Sequence, residues 1–444
     1  MRRPALPQGP YLVVGLARSG AAIALALREH GEVIGVDAGE PAEAAGLEGV
    51  EVHLAHDGVD LLERARTVVK SPGVPNEAAV VEAAHGRGVV VTGELELAWR
   101  LIPNRFVAVT GTNGKTTTTE LLGEIWRAAG LPVAVAGNVG TPLASLAGAE
   151  RGRALGPEAT IVCEASSFQL EDSSAFAPEC ALLLNLAEDH LDRHGTLDAY
   201  REAKLSVFAN QRPEDVAVVP SALDPRAERG IALQGQGRVV AFGDESAELA
   251  LREGALWWEG VRLIATSDLR LRGAHNVENA AAAAAAALAS GIAAEAVVEA
   301  LTTFAGVPHR LEEVAERDGV LYVNDSKATN VASARVALEA FEGGVHAILG
   351  GSLKGGGFAG LRASAAARCR ACYLIGEAAE RIEADLGDAI PTLRCGDLET
   401  AFEAARADAR PGEVVLLSPA CASFDQFEDY EARGDRFRAL VEGL

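Results

Sequence analysis

The stretch Ala108–Glu120, Ala-Val-Thr-Gly-Thr-Asn-Gly-Lys-Thr-Thr-Thr-Thr-Glu, constrains the fold more than any other part of the chain. It follows Arg105-Phe106-Val107 and leads into Leu121-Leu122-Gly123-Glu124-Ile125-Trp126, which reads as strand, glycine loop and helix. Glycines let successive backbone N–H groups turn toward one anion, Lys115 reaches the outer phosphates, and the Thr116 hydroxyl is placed to touch a magnesium ion. The common phosphate-loop pattern has a glycine five positions before Gly114. Here that position is Val109, and Gly111 carries the tight turn. A glycine turn capped by threonine is the competing reading, and the intact Gly-Lys-Thr behind a strand weighs against it.

A chain of 444 residues exceeds one hydrophobic core, and at roughly 150 residues per domain it suggests about three. The net charge of -23 argues against nucleic acid or an anionic membrane as partner, because both demand a basic surface. No window approaches the roughly 18 apolar residues of a membrane span, and the opening Met1-Arg2-Arg3 with Pro4, Pro7 and Pro10 does not read as a signal peptide. A cytoplasmic location is expected. The six cysteines are scattered, mostly in apolar runs, and read as reduced core residues. Cys369 and Cys372 form a C-x-x-C with no second pair and no nearby histidine, which favours packing over zinc or redox chemistry.

Residues 11–102 alternate short apolar runs with helical stretches, the pattern of a parallel α/β unit. Gly15-Leu16-Ala17-Arg18-Ser19-Gly20 follows the first run and Asp37 ends the second, a dinucleotide-like layout in which Ala17 replaces the second glycine. That disfavours a nicotinamide cofactor and leaves a sugar nucleotide, with the Ser19-Gly20 amides facing a phosphate. A plain α/β turn with Asp37 as a cap remains the alternative. Ile102-Pro103-Asn104 breaks the pattern, and a second α/β domain runs from 103 to 306.

In that domain Ile161-Val162-Cys163-Glu164 ends an apolar run on a carboxylate, where parallel sheets place ligands, so Glu164 is a candidate metal ligand or else a solvated strand end. Ser166-Ser167-Phe168-Gln169 supply polar neighbours. His190 in Glu188-Asp189-His190 ends the next run and is placed near the metal. The His190/His194 spacing lacks the glutamate of a zinc helix. Lys204 alone reads as an exposed helical lysine. Residues 213–272 carry little motif content beyond a hairpin-like Leu256–Val261. Ala280–Ala287 reads as a tightly packed helix whose first turn holds Asn279, within reach of a base or ribose. A third domain, 307–444, offers three polar strand-end loops: Asn324–Asn330, the lysine-bearing Gly350–Gly357, and Ser418–Phe427.

Taken together, Gly-Thr-Asn-Gly-Lys-Thr-Thr, Glu-Ala-Ser-Ser-Phe-Gln, Glu-Asp-His-Leu-Asp-Arg, Tyr-x-x-x-Lys, His-Asn-x-x-Asn, His-Arg, Asn-Asp-Ser-Lys-Ala-Thr-Asn and Ser-Pro-Ala-Cys-Ala-Ser-Phe-Asp-Gln-Phe resemble the Mur ligase family over essentially the whole chain. The resemblance implies an α/β enzyme of three domains: a Rossmann-like N-terminal domain for a UDP-sugar (1–102), a central P-loop ATPase-like domain (103–306) and a Rossmann-like amino-acid-binding domain (307–444). It implies an ATP-dependent ligase that forms an amide through an acyl phosphate. The last two motifs favour the member that joins D-glutamate to UDP-N-acetylmuramoyl-L-alanine over siblings acting on L-alanine, folate or cyanophycin. A regulatory ATPase is the alternative of another class.

By the same resemblance, Gly111, Thr112, Asn113, Gly114, Lys115, Thr116, Thr117, Asn279, Arg310, Asp325 and Lys327 bind ATP. Two magnesium ions are implied, held by Thr116 and Glu164 and by His190 and a Lys204 carbamylated with carbon dioxide. Lys115, Glu164, His190 and Lys204 form the expected catalytic set. Asn138 and His190 touch the muramoyl substrate, and Ser19, Asp37, Gly93, Ser166 and Gln169 complete its surroundings. Thr329, Lys354, Ser423 and Tyr430 receive D-glutamate. A monomer is expected. The chain departs from the family pattern at Ala17, at Ala38-Gly39 and at Tyr430, where phenylalanine is common.

Overall fold

The computed structural model describes residues 3–147, 155–227, 230–271, 273–353 and 357–444. They form a mixed α/β protein with three sheets in two compact units, residues 1–304 and 305–444.

The first unit opens with β1 (Tyr11–Val14), β2 (Val33–Val36), β3 (Glu51–His53), β4 (Thr67–Lys70) and β5 (Val90–Gly93), all parallel in the order β3-β2-β1-β4-β5. β1, β2 and β4 are buried along their whole length, as apolar four-residue runs covered on both faces require. Helices Arg18–Leu27 and Glu94–Leu101 pack on one face and Ala79–Gly86 on the other.

The second sheet of this unit comprises β6 (Arg105–Thr110), β7 (Val133–Gly137), β8 (Thr160–Glu164), β9 (Cys180–Leu183), β10 (Val216–Pro220), β11 (Arg238–Gly243), β12 (Leu249–Arg252), β13 (Ala255–Trp258) and β14 (Val261–Ala265), ordered β14-β13-β12-β11-β10-β9-β6-β8-β7. Parallel pairing places β6 between β8 and β9, so the carboxyl ends of these three strands share one rim. Helices Lys115–Ala128, Ala274–Ala289 and Ala294–Thr303 cover one face. The alanine run Ala280–Ala287 is buried throughout, because methyl groups let helix and sheet approach closely. The hairpin expected near Leu256–Val261 is present as β13 and β14, turning at Glu259-Gly260.

The second unit holds β15 (Glu312–Arg317), β16 (Val320–Asn324), β17 (Val345–Gly350), β18 (Cys369–Ile375), β19 (Thr392–Gly396) and β20 (Val414–Leu417), ordered β15-β16-β20-β17-β18-β19 with only β15 antiparallel. β16, β20 and β17 are parallel neighbours, so the three polar loops read from the sequence leave the same edge. All six cysteines are free thiols, and Cys372 packs into the core beside Leu374. Among the described residues no helix is long and apolar enough to cross a membrane.

Candidate active site

The phosphate loop leaves β6 at Thr110 and enters the helix Lys115–Ala128. Gly114 has φ +84°, and a Cβ there would lie 2.1 Å from Asn279 Oδ1, so only glycine fits between the loop and the alanine-rich helix. Asn185 fixes the loop from the end of the neighbouring strand: its Oδ1 accepts from Asn113 N at 2.8 Å and its Nδ2 donates to Asn113 O at 3.1 Å. Lys115 Nζ reaches back over the loop and donates to Gly111 O and Thr112 O, both at 2.9 Å. Thr116 and Thr117 are buried in the first helical turn. The loop thus presents helix N-terminal amides and a lysine to one place, which is the chemistry of an anion cradle.

Glu164 ends β8 beside it and is 3% exposed. Its Oε1 accepts from Asn138 Nδ2 at 3.2 Å, and Asn138 N donates to Glu164 O at 2.9 Å, so the expected substrate residue and the expected metal ligand are positioned by each other. Lys204 overturns the reading of an exposed helical lysine, being only 2% exposed. Its Nζ donates to Gly111 O at 2.8 Å and lies 4.6 Å from the centroid of the Tyr200 ring. Burial, reinforced by the nearby Lys115 charge, pulls its pKa down to about 7. Tyr200 has no role of its own in the sequence reading, yet its hydroxyl meets Thr112 Oγ1 at 3.0 Å and joins this lysine to the phosphate loop. The detectable signal was the spacing of four on one helix, which puts both residues on one face.

His190 stands at φ +51° with its side chain 47% exposed, 4.9 Å from the Phe168 ring centroid and 3.5 Å from Asp189 Oδ2. Glu164 at the end of β8 and Thr116 in the first turn of the helix after β6 offer a carboxylate and a hydroxyl, oxygens that suit a hard cation such as magnesium. The backbone cradle at Gly114 suits the phosphates it would accompany.

The remaining expected residues of this unit have local tasks. Asp37 accepts from Leu16 N at 2.7 Å and from Gly39 N at 2.8 Å, shaping its own turn, while Ser19 sits half-buried in the first turn of the helix Arg18–Leu27. Gly93 N donates to Asp172 O at 3.0 Å, and a Cβ on Gly93 would lie 2.8 Å from Asp172 Cβ. Ser166 and Gln169 form a reciprocal capping box for the helix Ser167–Glu171, and Gln169 Nε2 donates to Glu94 Oε1 at 2.7 Å. Burial raises the Glu94 pKa to about 7.

In the second unit Asp325 is buried after β16, accepting from Ser418 Oγ at 2.7 Å and Leu311 N at 3.1 Å; burial lifts its pKa to about 7. Lys327 Nζ lies 5.9 Å from the centroid of the Tyr430 ring, and Thr329 N donates to Lys327 O at 2.8 Å. Arg310 is half-buried at the start of this unit, and Ser423 is buried in the loop after β20. Lys354 lies outside the described residues. This edge therefore carries Asp325, Lys327, Thr329 and Ser423 on loops of adjacent strands.

A family model described as the Mur ligase middle domain matches residues 109–287, and one described as the Mur ligase, glutamate ligase domain matches residues 309–421. The UDP-N-acetylmuramoylalanine–D-glutamate ligase of Acidobacterium capsulatum is 42% identical, covering 97% of this chain and 95% of that protein. The enzyme of the same name from Geobacter metallireducens is 44% identical, covering 98% and 97%. The solved UDP-N-acetylmuramate-alanine ligase of Thermotoga maritima shares the fold at a TM-score of 0.60, with 20% identity over 98% of this chain and 99% of that one. Two family models, and relatives similar along nearly the whole length, settle the family: the chain belongs to the Mur ligase family.

Proposed function

We propose that the chain joins D-glutamate to UDP-N-acetylmuramoyl-L-alanine at the expense of ATP, in the synthesis of peptidoglycan precursors. Relatives of 42% and 44% identity carry that activity in their names, and the phosphate loop, Glu164 and Lys204 support the reading. The observation that carries the reading is Lys204, a buried amine with its pKa near 7, set on the carbonyl of the first loop glycine beside Lys115.

The substrate carboxylate takes the γ-phosphoryl group of ATP, and the amine of D-glutamate displaces phosphate from the acyl phosphate. Lys115 and the loop amides hold the transferring phosphoryl group and balance its charge. Asn138 orients the muramoyl substrate and, through its bond to Glu164, keeps that carboxylate aimed. Thr116 and Glu164 would hold one magnesium ion, and His190 with carbamylated Lys204 a second. Bound magnesium supplies neutralisation of the phosphate oxygens. A lysine neutral near pH 7 has the free pair that attacks carbon dioxide, and the carbamate it forms offers the hard oxygen that an ammonium cannot.

Residues 1–102 form the Rossmann-like part for the UDP-sugar, with Ser19, Asp37 and Gly93; 103–306 the P-loop part for ATP; and 307–444 the Rossmann-like part for the amino acid. In that part the residues assigned to ATP are Arg310, Asp325 and Lys327, and those assigned to D-glutamate are Thr329, Lys354, Ser423 and Tyr430. The chain works as a monomer in the cytoplasm. The test is phosphate release with each reactant omitted in turn. Release is expected only with ATP, UDP-N-acetylmuramoyl-L-alanine and D-glutamate all present; equal release without the amino acid would sink the reading in favour of an ATPase.

A further inference from the structure

The helix Tyr430–Glu442 carries Glu-Ala-Arg-Gly-Asp-Arg, a run that in sequence reads as a solvated face. Arg433 instead is 0% exposed. Its Nε donates to Ser326 Oγ at 2.9 Å, its Nη2 to Ser326 O at 2.9 Å and Cys421 O at 3.0 Å, and its Nη1 to Ala422 O at 3.2 Å. Among the described residues these four acceptors are all neutral oxygens. Burying a guanidinium without a bonded carboxylate is costly compared with an apolar side chain of the same size, so packing alone gives no reason for arginine here. What arginine does, and methionine cannot, is join loops: a planar fork reaches several carbonyls at fixed angles.

It bonds two of the three loops that leave the edge of β16, β20 and β17. Ser326 lies between Asp325 and Lys327, and Cys421-Ala422 lead directly into Ser423. Ala422 O also accepts from Ser352 N at 2.9 Å, and a Cβ on Gly351 would lie 3.0 Å from Arg433 Nη1, so the loop after β17 closes on the same point. Ser326 Oγ in turn donates to Tyr430 O at 2.8 Å, tying the knot to the helix's own first turn.

The next residue continues the arrangement. Gly434 O accepts from Asn324 Nδ2 at 3.1 Å, and a Cβ on Gly434 would lie 2.1 Å from His309 Nδ1. That nitrogen lies 3.0 Å from Asn324 Nδ2, and His309 O accepts from Lys327 N at 3.0 Å. Gly434 is thus the gap that lets His309 seat the backbone of Lys327.

We infer that Arg433 and Gly434 are a positioning pair, holding the strand-end loops of this unit in the arrangement that receives D-glutamate and the nucleotide. The inference rests on the function proposed above, and neither residue touches a reactant. Its test uses the full-length enzyme and the variants Arg433→Lys, Gly434→Ala and Ser326→Ala, each with a melting curve. Arg433→Lys keeps the charge and loses the fork. It is expected to raise the KM for D-glutamate and the Kd for ADP by about tenfold, the fold-change of one lost hydrogen bond to a charged group. The KM for UDP-N-acetylmuramoyl-L-alanine should stay within about twofold of the wild type, a split that general loss of folded protein cannot produce. Ser326→Ala removes one acceptor and should move the same two constants about threefold. If Arg433→Lys and Ser326→Ala fold and change only the melting temperature, with both constants unmoved, the pair is structural packing and the inference is overturned. If Arg433→Lys does not fold, Ser326→Ala decides by the same split. If the wild type shows no D-glutamate-dependent phosphate release, the functional reading is what fails, and the Kd for ADP alone still decides the positioning role.

Discussion

Two lysines of the first unit are equally hidden and chemically opposite. Lys70 ends β4 with its side chain fully buried, and its Nζ lies 3.0 Å from Asp172 Oδ2 and 3.4 Å from Glu171 Oε1 and bonds Asn76 Oδ1. Glu171 is gripped further by Arg193 at 3.2 Å and His194 at 3.3 Å. Lys204 is 2% exposed, donates to one carbonyl, and has a second lysine for a neighbour. Burial therefore does not decide what an amine does; the charges buried with it decide. Lys70 is a cation locked between carboxylates and ties the first sheet to the segment after β8. Among the described residues no carboxylate bonds Lys204, Asp189 and Glu164 acting on it only through space, and burial pushes it toward the neutral amine, the form that reacts.

The largest test of this contrast is Lys204→Ala. Activity should fall by about 10²–10³-fold, the scale of removing one group that stabilises transferring charge. Short carboxylic acids added to the assay should restore part of it by supplying the missing oxygens, and no regain in phosphate release would count against the carbamate. Lys70→Met should instead act on stability. Two carboxylates, with side chains 16% and 12% exposed, would lose a buried partner, and breaking such a pair costs about 3–5 kcal/mol. Urea unfolding measures it. A variant that loses activity while keeping the wild-type midpoint would show that Lys70 is not the clamp its contacts describe.

The contrast also marks what the sequence could reveal. The phosphate loop was legible because its chemistry lies within a few consecutive residues, and Glu164 because a strand end announces itself. The parallel order of β6, β8 and β9 then placed both on one rim. Lys204 was misjudged from its residues alone because a helix shows its periodicity in sequence but not which face will be covered. The buried Tyr200 on the same face settles that here. Arg433 was invisible for a stronger reason: its partner Ser326 is 107 residues away, and nothing local distinguishes it from the exposed charges around it. Likewise the amide of Gln169 bonds Ser166 and the buried Glu94, a partnership 75 residues apart that its own neighbours in the chain do not announce.

The finest test concerns the proton on Lys204, and its sign follows from linkage. The folded pKa of about 7 lies below the ordinary 10.5. Below about pH 7 both folded and unfolded chains hold the proton, and the folded state bears the whole cost of burying the charge. Between about 7 and 10.5 the unfolded chain keeps the proton and the folded chain does not, so stability rises with pH, by at most about 1.4 kcal/mol per unit. Lys204→Met has no such group. In buffer freed of carbon dioxide, the unfolding free energy of the wild type minus that of Lys204→Met should therefore climb from about pH 7 to about pH 9. Bicarbonate should add to the wild type alone, because a carbamate that forms only on the folded chain stabilises it by mass action. A flat difference in the carbon dioxide-free series would mean that Lys204 keeps its proton in the fold, and the contrast with Lys70 would vanish.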